Sequence, residues 1–369
     1  MAKQCAVFRV PMHNPGDASG LTALLDQGAL RADDIVAIFG KTEGNGCVND
    51  FTRPYAVETM KTALAPRLRC PPEAVAARIR MVMSGGTEGG LSPHFLVFAV
   101  RDAATGGGAG KRLAIGTAIT RDFSADEIGR APQIRETARA VREAIRGAGI
   151  SSDQDVHFVQ IKCPLITAQR HAEATARGRR PVTKDTYASM GLSRGASALG
   201  VGLALGEIAE DAIADEIVCR DYELWSGRAS TSAGIELMHN EVIVLGNSAD
   251  WSGDSVIAHG VMTDAIDIVA IYGALAGVGL EPRGQLNEGQ QRRIKAVLAK
   301  AEPASAGIIR GARHAMLDDS DIQATRHARA FVGGVLAGVV GRTDLFVSGG
   351  AEHQGPDGGG PVAVIAAVA

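Results

Sequence analysis

Ile35-Val36-Ala37-Ile38-Phe39-Gly40-Lys41 is an apolar run that ends on a lysine, and its reading decides the fold because the same form returns twice. The other two runs are Val156-His157-Phe158-Val159-Gln160-Ile161-Lys162 and Ile294-Lys295-Ala296-Val297-Leu298-Ala299-Lys300. Self-similarity of this kind is the signature of repeated structural units. Upstream of each lies a β-like run, Cys5 to Val10, Leu113 to Thr120 or Ser255 to Met262, followed by a helix-like stretch that starts near an Asp. Downstream an arginine opens an Ala-rich helical stretch, in Thr52-Arg53-Pro54, Ser193-Arg194-Gly195 and Thr325-Arg326-His327. Each unit closes on a serine beside small residues: Met83-Ser84-Gly85-Gly86, Thr231-Ser232-Ala233-Gly234 and Val347-Ser348-Gly349-Gly350. The order strand, Lys, Arg, Ser is kept while the Lys-to-Ser separation runs to 43, 70 and 48 residues, so insertions lengthen a common plan.

Two breaks divide the chain. Thr105 to Gly110 is Gly-rich, and Asn247 to Asp254 is rich in Ser, Asp and Gly, so both read as linkers. Repeat units at 1–104, 112–249 and 255–369 follow. Strands alternating with helices place each unit in the α/β (α+β) class, and three homologous units in one chain predict pseudo-threefold packing around one central active site.

Composition narrows the function. The 369 residues are 46% hydrophobic and 21% charged, the balance of a folded globular protein. Lys and Arg total 38 against 41 Asp and Glu, and only 4% of residues are aromatic, which argues against the basic field and the stacking platforms of a nucleic-acid binder. Five widely spaced cysteines without a Cys-x-x-Cys pair indicate neither a disulfide framework nor a zinc ribbon, so a reducing, cytoplasmic setting is expected. The first apolar stretch is broken by Arg9 and is too short for a signal peptide. Others, such as Phe331 to Gly341, fall short of the about 20 residues a bilayer span needs, so no membrane partner is expected.

A lysine ending a buried strand calls for a reason, because burying an unpaired ammonium costs several kcal/mol. One alone reads as a strand-end cation whose stem packs on apolar surface; three in register point to function. A serine beside Gly-Gly or Ala-Gly has the local form of a nucleophile or an anion-holding turn. Paired with a neutral lysine it gains a base, as serine does from histidine in the familiar triad. That requires lowering the lysine from about 10.4 to about 7–8 by desolvation and a neighbouring guanidinium, which the repeated arginine supplies. Gly40-Lys41-Thr42 lacks the spaced glycine of a phosphate loop. The nine histidines include no His-Glu-x-x-His pair, and Ser230-Thr231-Ser232-Ala233-Gly234 lacks the first glycine of a nucleophile elbow.

Gly40-Lys41-Thr42-Glu43-Gly44-Asn45-Gly46, Met83-Ser84-Gly85-Gly86-Thr87-Glu88-Gly89 and Ser348-Gly349-Gly350-Ala351-Glu352-His353-Gln354-Gly355-Pro356 resemble the cyanuric acid hydrolase and barbiturase family. Lys162-Cys163-Pro164-Leu165, Ser193-Arg194-Gly195-Ala196-Ser197-Ala198-Leu199-Gly200 and Ser232-Ala233-Gly234-Ile235-Glu236-Leu237 match its middle unit, so the resemblance spans the chain. It implies hydrolytic opening of a cyclic imide-like ring at one site built from three Ser-Lys pairs and three arginines. Cyanuric acid is threefold symmetric, and three Ser-Lys-Arg sets suit its three equivalent edges. The serines and the N–H groups of Gly85, Ala233 and Gly349 would hold the carbonyl oxygens while arginines stabilise charge on the ring. Opening to carboxybiuret, then biuret and carbon dioxide, is the expected reaction. Barbiturate opening to a ureidomalonate is the alternative within the family, and a protein whose dyads only bind a ring compound is the alternative outside it. A homo-oligomer, a tetramer, and no organic cofactor are also expected from the resemblance.

The repeats differ in ways that assign roles. Glu43 and Glu302 stand two residues after Lys41 and Lys300, whereas Lys162 is followed by Pro164. If the strands continue, those carboxylates hold Lys41 and Lys300 charged and leave Lys162 easier to deprotonate. Ser232 with Lys162 is then nucleophile with base, in agreement with the resemblance, and Ser84 with Lys41 and Ser348 with Lys300 orient the other edges. Arg53 and Arg194 are the first two ring-binding arginines. The third is Arg329 by the resemblance, with Arg326 open by motif alignment. The resemblance further implies a structural Mg²⁺ or Ca²⁺ on Glu302 and the carbonyls of Ala351, Gln354, Gly355, Pro356 and Gly359, oxygen donors of the kind hard cations take.

Overall fold

The computed structural model describes residues 2–103 and 110–368. Its first sheet contains β1 (Lys3–Pro11), β2 (Ile35–Thr42), β3 (Arg80–Gly85) and β4 (His94–Asp102), and its second β5 (Arg112–Ile119), β6 (Val156–Cys163), β7 (Ala229–Ala233) and β8 (Glu241–Ser248). A two-residue strand, β9 (Trp251–Ser252), comes next. The third sheet is built from β10 (Ser255–Met262), β11 (Ile294–Ala301), β14 (Phe346–Gly349) and β15 (Gly360–Ala367), and a small hairpin, β12 (Ile308–Ile309) with β13 (Ala312–Arg313), stands apart from it. All three sheets share one spatial order, β3-β2-β4-β1, β7-β6-β8-β5 and β14-β11-β15-β10. We call the corresponding parts units A, B and C. The mixed α/β class and the repeated plan are as the sequence predicts.

In every unit the lysine strand pairs in parallel with the serine strand and antiparallel with the last strand. A parallel pair needs a crossover rather than a hairpin. The helices Thr52–Leu68, Thr186–Ala204 and Ala324–Val340 lie in these crossovers and carry the arginines. The parallel register sets Lys41 opposite Ser84, Lys162 opposite Ser232 and Lys300 opposite Ser348. Successive side chains of a strand point to opposite faces. Ile38 joins the cluster that packs Met60 and Leu64 of the helical layer, while Phe39 joins the core shared by the three sheets. Lys41 shares the face of Phe39, and Lys300 that of Leu298, so the period of two carries the ammonium groups toward the centre. Phe39 packs at a tilt against Phe98 of its own sheet and Phe346 of unit C, with ring centroids 4.9 and 5.5 Å apart.

Two readings change. Arg194 sits in the middle of its helix rather than opening it, because Asp185 caps the helix by accepting the Ala188 N–H, two turns before the arginine. The second linker is partly a strand: β9 pairs in parallel with β1 at the edge of the first sheet, and the buried Trp251 donates its Nε1–H to the Ala148 carbonyl at 2.7 Å. Of the first linker, residues 105–109 lie outside the described residues. Among the described residues no helix is long and apolar enough to cross a membrane.

Candidate active site

The serine strands end around a cavity of ≈ 290 Å³. Ser84, Ser232 and Ser348, their neighbours Gly85, Ala233 and Gly349, and Arg53, Arg194 and Arg329 all line it, with Gly46, Met83 and Met190. Arg326 lines a separate hollow with Glu43 and Glu88, and its Nη2 lies 3.9 Å from Cys47 Sγ. One helical turn separates the two arginines of unit C, and only Arg329 faces the cavity.

Behind the serines the lysines differ. Lys41 Nζ donates to Ser84 Oγ at 3.3 Å and to the Gly85 carbonyl at 2.9 Å. Lys300 Nζ donates to Ser348 Oγ at 3.4 Å and to the carbonyls of Gly349 and Thr231, both at 3.0 Å. Ser84 Oγ donates to Ser348 Oγ at 3.2 Å, so these two hydroxyls are tied together. Burial, and then the Arg329 guanidinium, hold Lys41 well below the ordinary lysine range. Burial, and then Arg194, bring Lys300 down to about 7. Lys162 Nζ instead pairs with Glu236 Oε1 at 2.9 Å, and Ser232 Oγ makes no hydrogen bond among the described residues.

This reverses the expected charge pattern. The strands stop at Thr42 and Ala301, so Glu43 and Glu302 fall beyond the pleat that would have set them beside their lysines. Glu43 is exposed, and Glu302 turns its Oε2 to the N–H groups of Gly350 and Ala351 at 2.8 and 3.2 Å. Glu302 does favour the charged form of Lys300, but burial and Arg194 outweigh it. It is Lys162 that has the carboxylate.

The arginines are held by acids. Arg194 makes a two-pronged pair with Glu352, Nε to Oε2 at 2.8 Å and Nη2 to Oε1 at 2.5 Å. Arg329 pairs with Glu88 in the same way, Nε to Oε2 at 2.9 Å and Nη2 to Oε1. Such forks fix the guanidinium plane as well as its charge. Arg53 has Asp50 Oδ2 3.5 Å from its Nε and donates to the carbonyls of Ala233 and Cys47 at 3.3 and 2.5 Å. A small cavity with three arginines, three serine hydroxyls and buried amines suits a compact ring bearing several carbonyls and acidic N–H groups.

The sequence model of the family described as "Amidohydrolase ring-opening protein" matches residues 6–367. The chain belongs to that family. It is 57% identical over 361 residues to the cyanuric acid amidohydrolase of Azorhizobium caulinodans, covering 98% of both chains. To the cyanuric acid amidohydrolase of Enterobacter cloacae it is 53% identical over 369 residues, covering 99% of this chain and 100% of that one. A solved cyanuric acid hydrolase described as an evolutionary innovation by structural concatenation superposes with a TM-score of 0.94 at 53% identity over all of both chains. The solved enzyme from A. caulinodans gives 0.91 at 55% identity, with 99% of each chain covered. The chain is thus a ring-opening amidohydrolase, an enzyme of cyclic amide C–N bonds.

Sequence reasoning missed the acids that hold Arg194, Arg329 and Lys162. Glu88, Glu236 and Glu352 each stand four residues after the serine of their unit, a repeat visible in the sequence. The proposed metal donors lie beside the third of them. Glu302, Ala351, Gly355 and Pro356 line one hollow of ≈ 670 Å³. The carbonyls of Ala351 and Pro356 accept the N–H groups of Gln354 and Gly359, both at 2.9 Å, which turns the loop on itself. Burial, and then the neighbouring Glu352, push the Glu302 carboxyl up to about 7. Glu352 spends both oxygens on Arg194, which leaves Glu302, with carbonyls at hand, as the carboxylate whose chemistry suits a hard divalent cation.

Proposed function

We propose that the chain opens the ring of cyanuric acid, giving carboxybiuret and then biuret and carbon dioxide. The observation that carries this reading is the triple Lys-Ser-Arg set around one small cavity. Each edge of cyanuric acid offers a carbonyl between two N–H groups, so three equivalent sets meet three equivalent edges. Barbiturate has the same imide edges but a methylene in place of one ring nitrogen, so it meets only part of that symmetry. The curated relatives' shared activity on cyanuric acid supports the same choice.

Ser232 is the nucleophile of this reading and Lys162 its base. The Ser232 hydroxyl is uncommitted, whereas Ser84 and Ser348 are bonded to each other and to their lysines. Ser232 Oγ attacks a ring carbonyl carbon as its proton passes to Lys162. The C–N bond breaks, and the proton moves from Lys162 to the released ring nitrogen. Water then attacks the acyl-enzyme, freeing carboxybiuret and restoring the hydroxyl. Ser84, Ser348 and the arginines hold the remaining carbonyls and the charge that develops on them. No step calls for an organic cofactor.

A hard cation, Mg²⁺ or Ca²⁺, is proposed on Glu302 and the carbonyls of Ala351, Gln354, Gly355, Pro356 and Gly359. Bound there it would neutralise Glu302 and tie down the loop after Ser348, with no part in bond making. Exhaustive chelation should lower the melting temperature while changing kcat far less; elemental analysis finding no divalent ion in unchelated protein would overturn the assignment.

The reaction is tested by parallel assay of cyanuric acid and barbiturate with mass analysis of the trapped acyl-enzyme. Turnover of cyanuric acid with the adduct on Ser232 is expected. Turnover of neither compound defeats the reading, and an adduct on Ser84 or Ser348 defeats the assignment of the nucleophile.

A further inference from the structure

The three glutamates four residues after the serines form a ring with one link open. Glu88 of unit A closes on Arg329 of unit C, and Glu352 of unit C closes on Arg194 of unit B. The same rotation assigns Glu236 of unit B to Arg53 of unit A. Glu236 is instead on Lys162, and Arg53 Nε is buried with no hydrogen-bond partner among the described residues, the fully buried Asp50 standing off at 3.5 Å.

The backbone shows why. Gly86 and Gly350, two residues after their serines, adopt left-handed φ values of +92° and +77°, whereas Gly234 at the equivalent place does not. Glycine passes between the two forms without steric cost, so the turn beneath Glu236 is able to fold either way. The side chain has room as well. Glu236 is 53% exposed, against 19% for Glu88 and 18% for Glu352. It faces an open cleft between units A and B that Lys162 also lines.

We propose that Glu236 is a two-position positioning residue, on Lys162 in the position the structure shows and on Arg53 in the other, which it takes once a ring fills the cavity, so that Lys162 becomes a base only in the loaded enzyme. This rests on the Ser232–Lys162 reading above. The difference between the two positions comes from loading: a ring sealed in the cavity strips water from Arg53 and strengthens its pull on a carboxylate. Lys162 then gives its ammonium proton to water of the cleft, and the neutral amine accepts the Ser232 proton. Burial raises the Glu236 carboxyl, but Lys162 first and Arg53 to a smaller degree bring it below its ordinary range, so it stays charged in either place. The other charged groups around the pair are already engaged. Glu241, opposite Lys162 in the sheet, pairs with Arg80 at 3.0 Å, and Glu58 pairs with Lys61 at 2.7 Å. Arg170 donates to the Ile235 carbonyl at 2.7 Å, and His239 faces Asp122 at 3.0 Å.

The test is the pH dependence of cyanuric acid turnover by wild-type enzyme and Glu236→Gln. The acid limb of kcat/KM reports the free enzyme and that of kcat the bound complex. An opposite charge within hydrogen-bonding reach moves a pKa by about 1–3 units, so Glu236→Gln should lower the kcat/KM limb by about one pH unit or more and leave the kcat limb in place. Neither limb moving, or both moving together, overturns the proposal. A structure with barbiturate bound gives a check that needs no variant: Glu236 is expected within hydrogen-bond distance of Arg53, and a carboxylate still on Lys162 overturns it. Wild-type enzyme without turnover defeats the ring-opening reading instead; wild-type turnover with an unmoved limb defeats only this one.

Discussion

Unit B differs from units A and C at every level beneath the cavity, although all three share one strand order. Two residues before the lysine, A and C carry Phe39 and Leu298, whereas B carries Gln160, whose Oε1 accepts the Ser230 hydroxyl at 2.8 Å. All three lysines are buried; in A and C the lysine is depressed and turned on its own serine, whereas in B it pairs with a carboxylate at the edge of an open cleft, and its serine is unspent. Three sets line one threefold cavity, and in the proposed mechanism the odd one does the chemistry while all three hold the ring. Symmetry serves binding, and its local loss serves chemistry.

The comparison breaks most directly at the serines. Ser232→Ala should lower kcat by about 10⁴-fold or more, the scale of losing a nucleophile. Ser84→Ala and Ser348→Ala should each cost about 10²-fold, the scale of one donor to a developing oxyanion. Steady-state kinetics on the three variants decide it, and equal losses would mean the sets are interchangeable.

A smaller effect separates the arginines of unit C. Arg329→Ala should reduce kcat/KM by about 10- to 100-fold, as expected for a charged hydrogen bond worth about 1.5–3 kcal/mol. It should also lower the melting temperature, because Glu88 loses its partner. Arg326→Ala should stay within about threefold of wild type, as surface substitutions do. Comparable losses would put Arg326 on the ring as well.

The mildest test reads the buried lysine of unit C by stability against pH. Lys300 is brought to about 7 in the fold, so between about 7 and its unfolded value of about 10.4 the unfolded chain binds the extra proton. Wild type should therefore gain on Lys300→Met as pH rises through that window, by at most about 1.4 kcal/mol per unit. Chemical denaturation of wild type and Lys300→Met at pH 7 and pH 9 reads the difference, and parallel stabilities across that window would overturn the prediction.

The fold was largely legible because period-two alternation and a thrice-kept motif order are properties of the chain itself. Lys41 opposite Ser84 follows from two strands whose patterns both end on a polar residue. The charge pattern was not legible, because it depends on where a strand stops: one residue past Thr42 sends Glu43 to solvent. The choice between Arg326 and Arg329 was closed by helix geometry, since residues three apart differ in direction by enough to face the cavity or Cys47. Glu88 and Glu352 were readable as a repeat but not as partners of Arg329 and Arg194, since both contacts join different units. The strand β9 was hidden for the same reason, its pairing with β1 being set by packing and not by its two residues.

That short strand also bears on how the molecule is made. β1 leaves the ribosome before β9, yet the Lys3-Gln4 end of its edge is covered by Trp251 and Ser252, which emerge about 250 residues later. Until then the first unit carries an open strand edge, the kind of surface that pairs with other chains. Unit A expressed alone is thus incomplete on its β1 side, and a version carrying residues 250–253 in trans should be the more soluble. The single chain acts as its own chaperone in sequence order, with the segment between the second and third units closing the first.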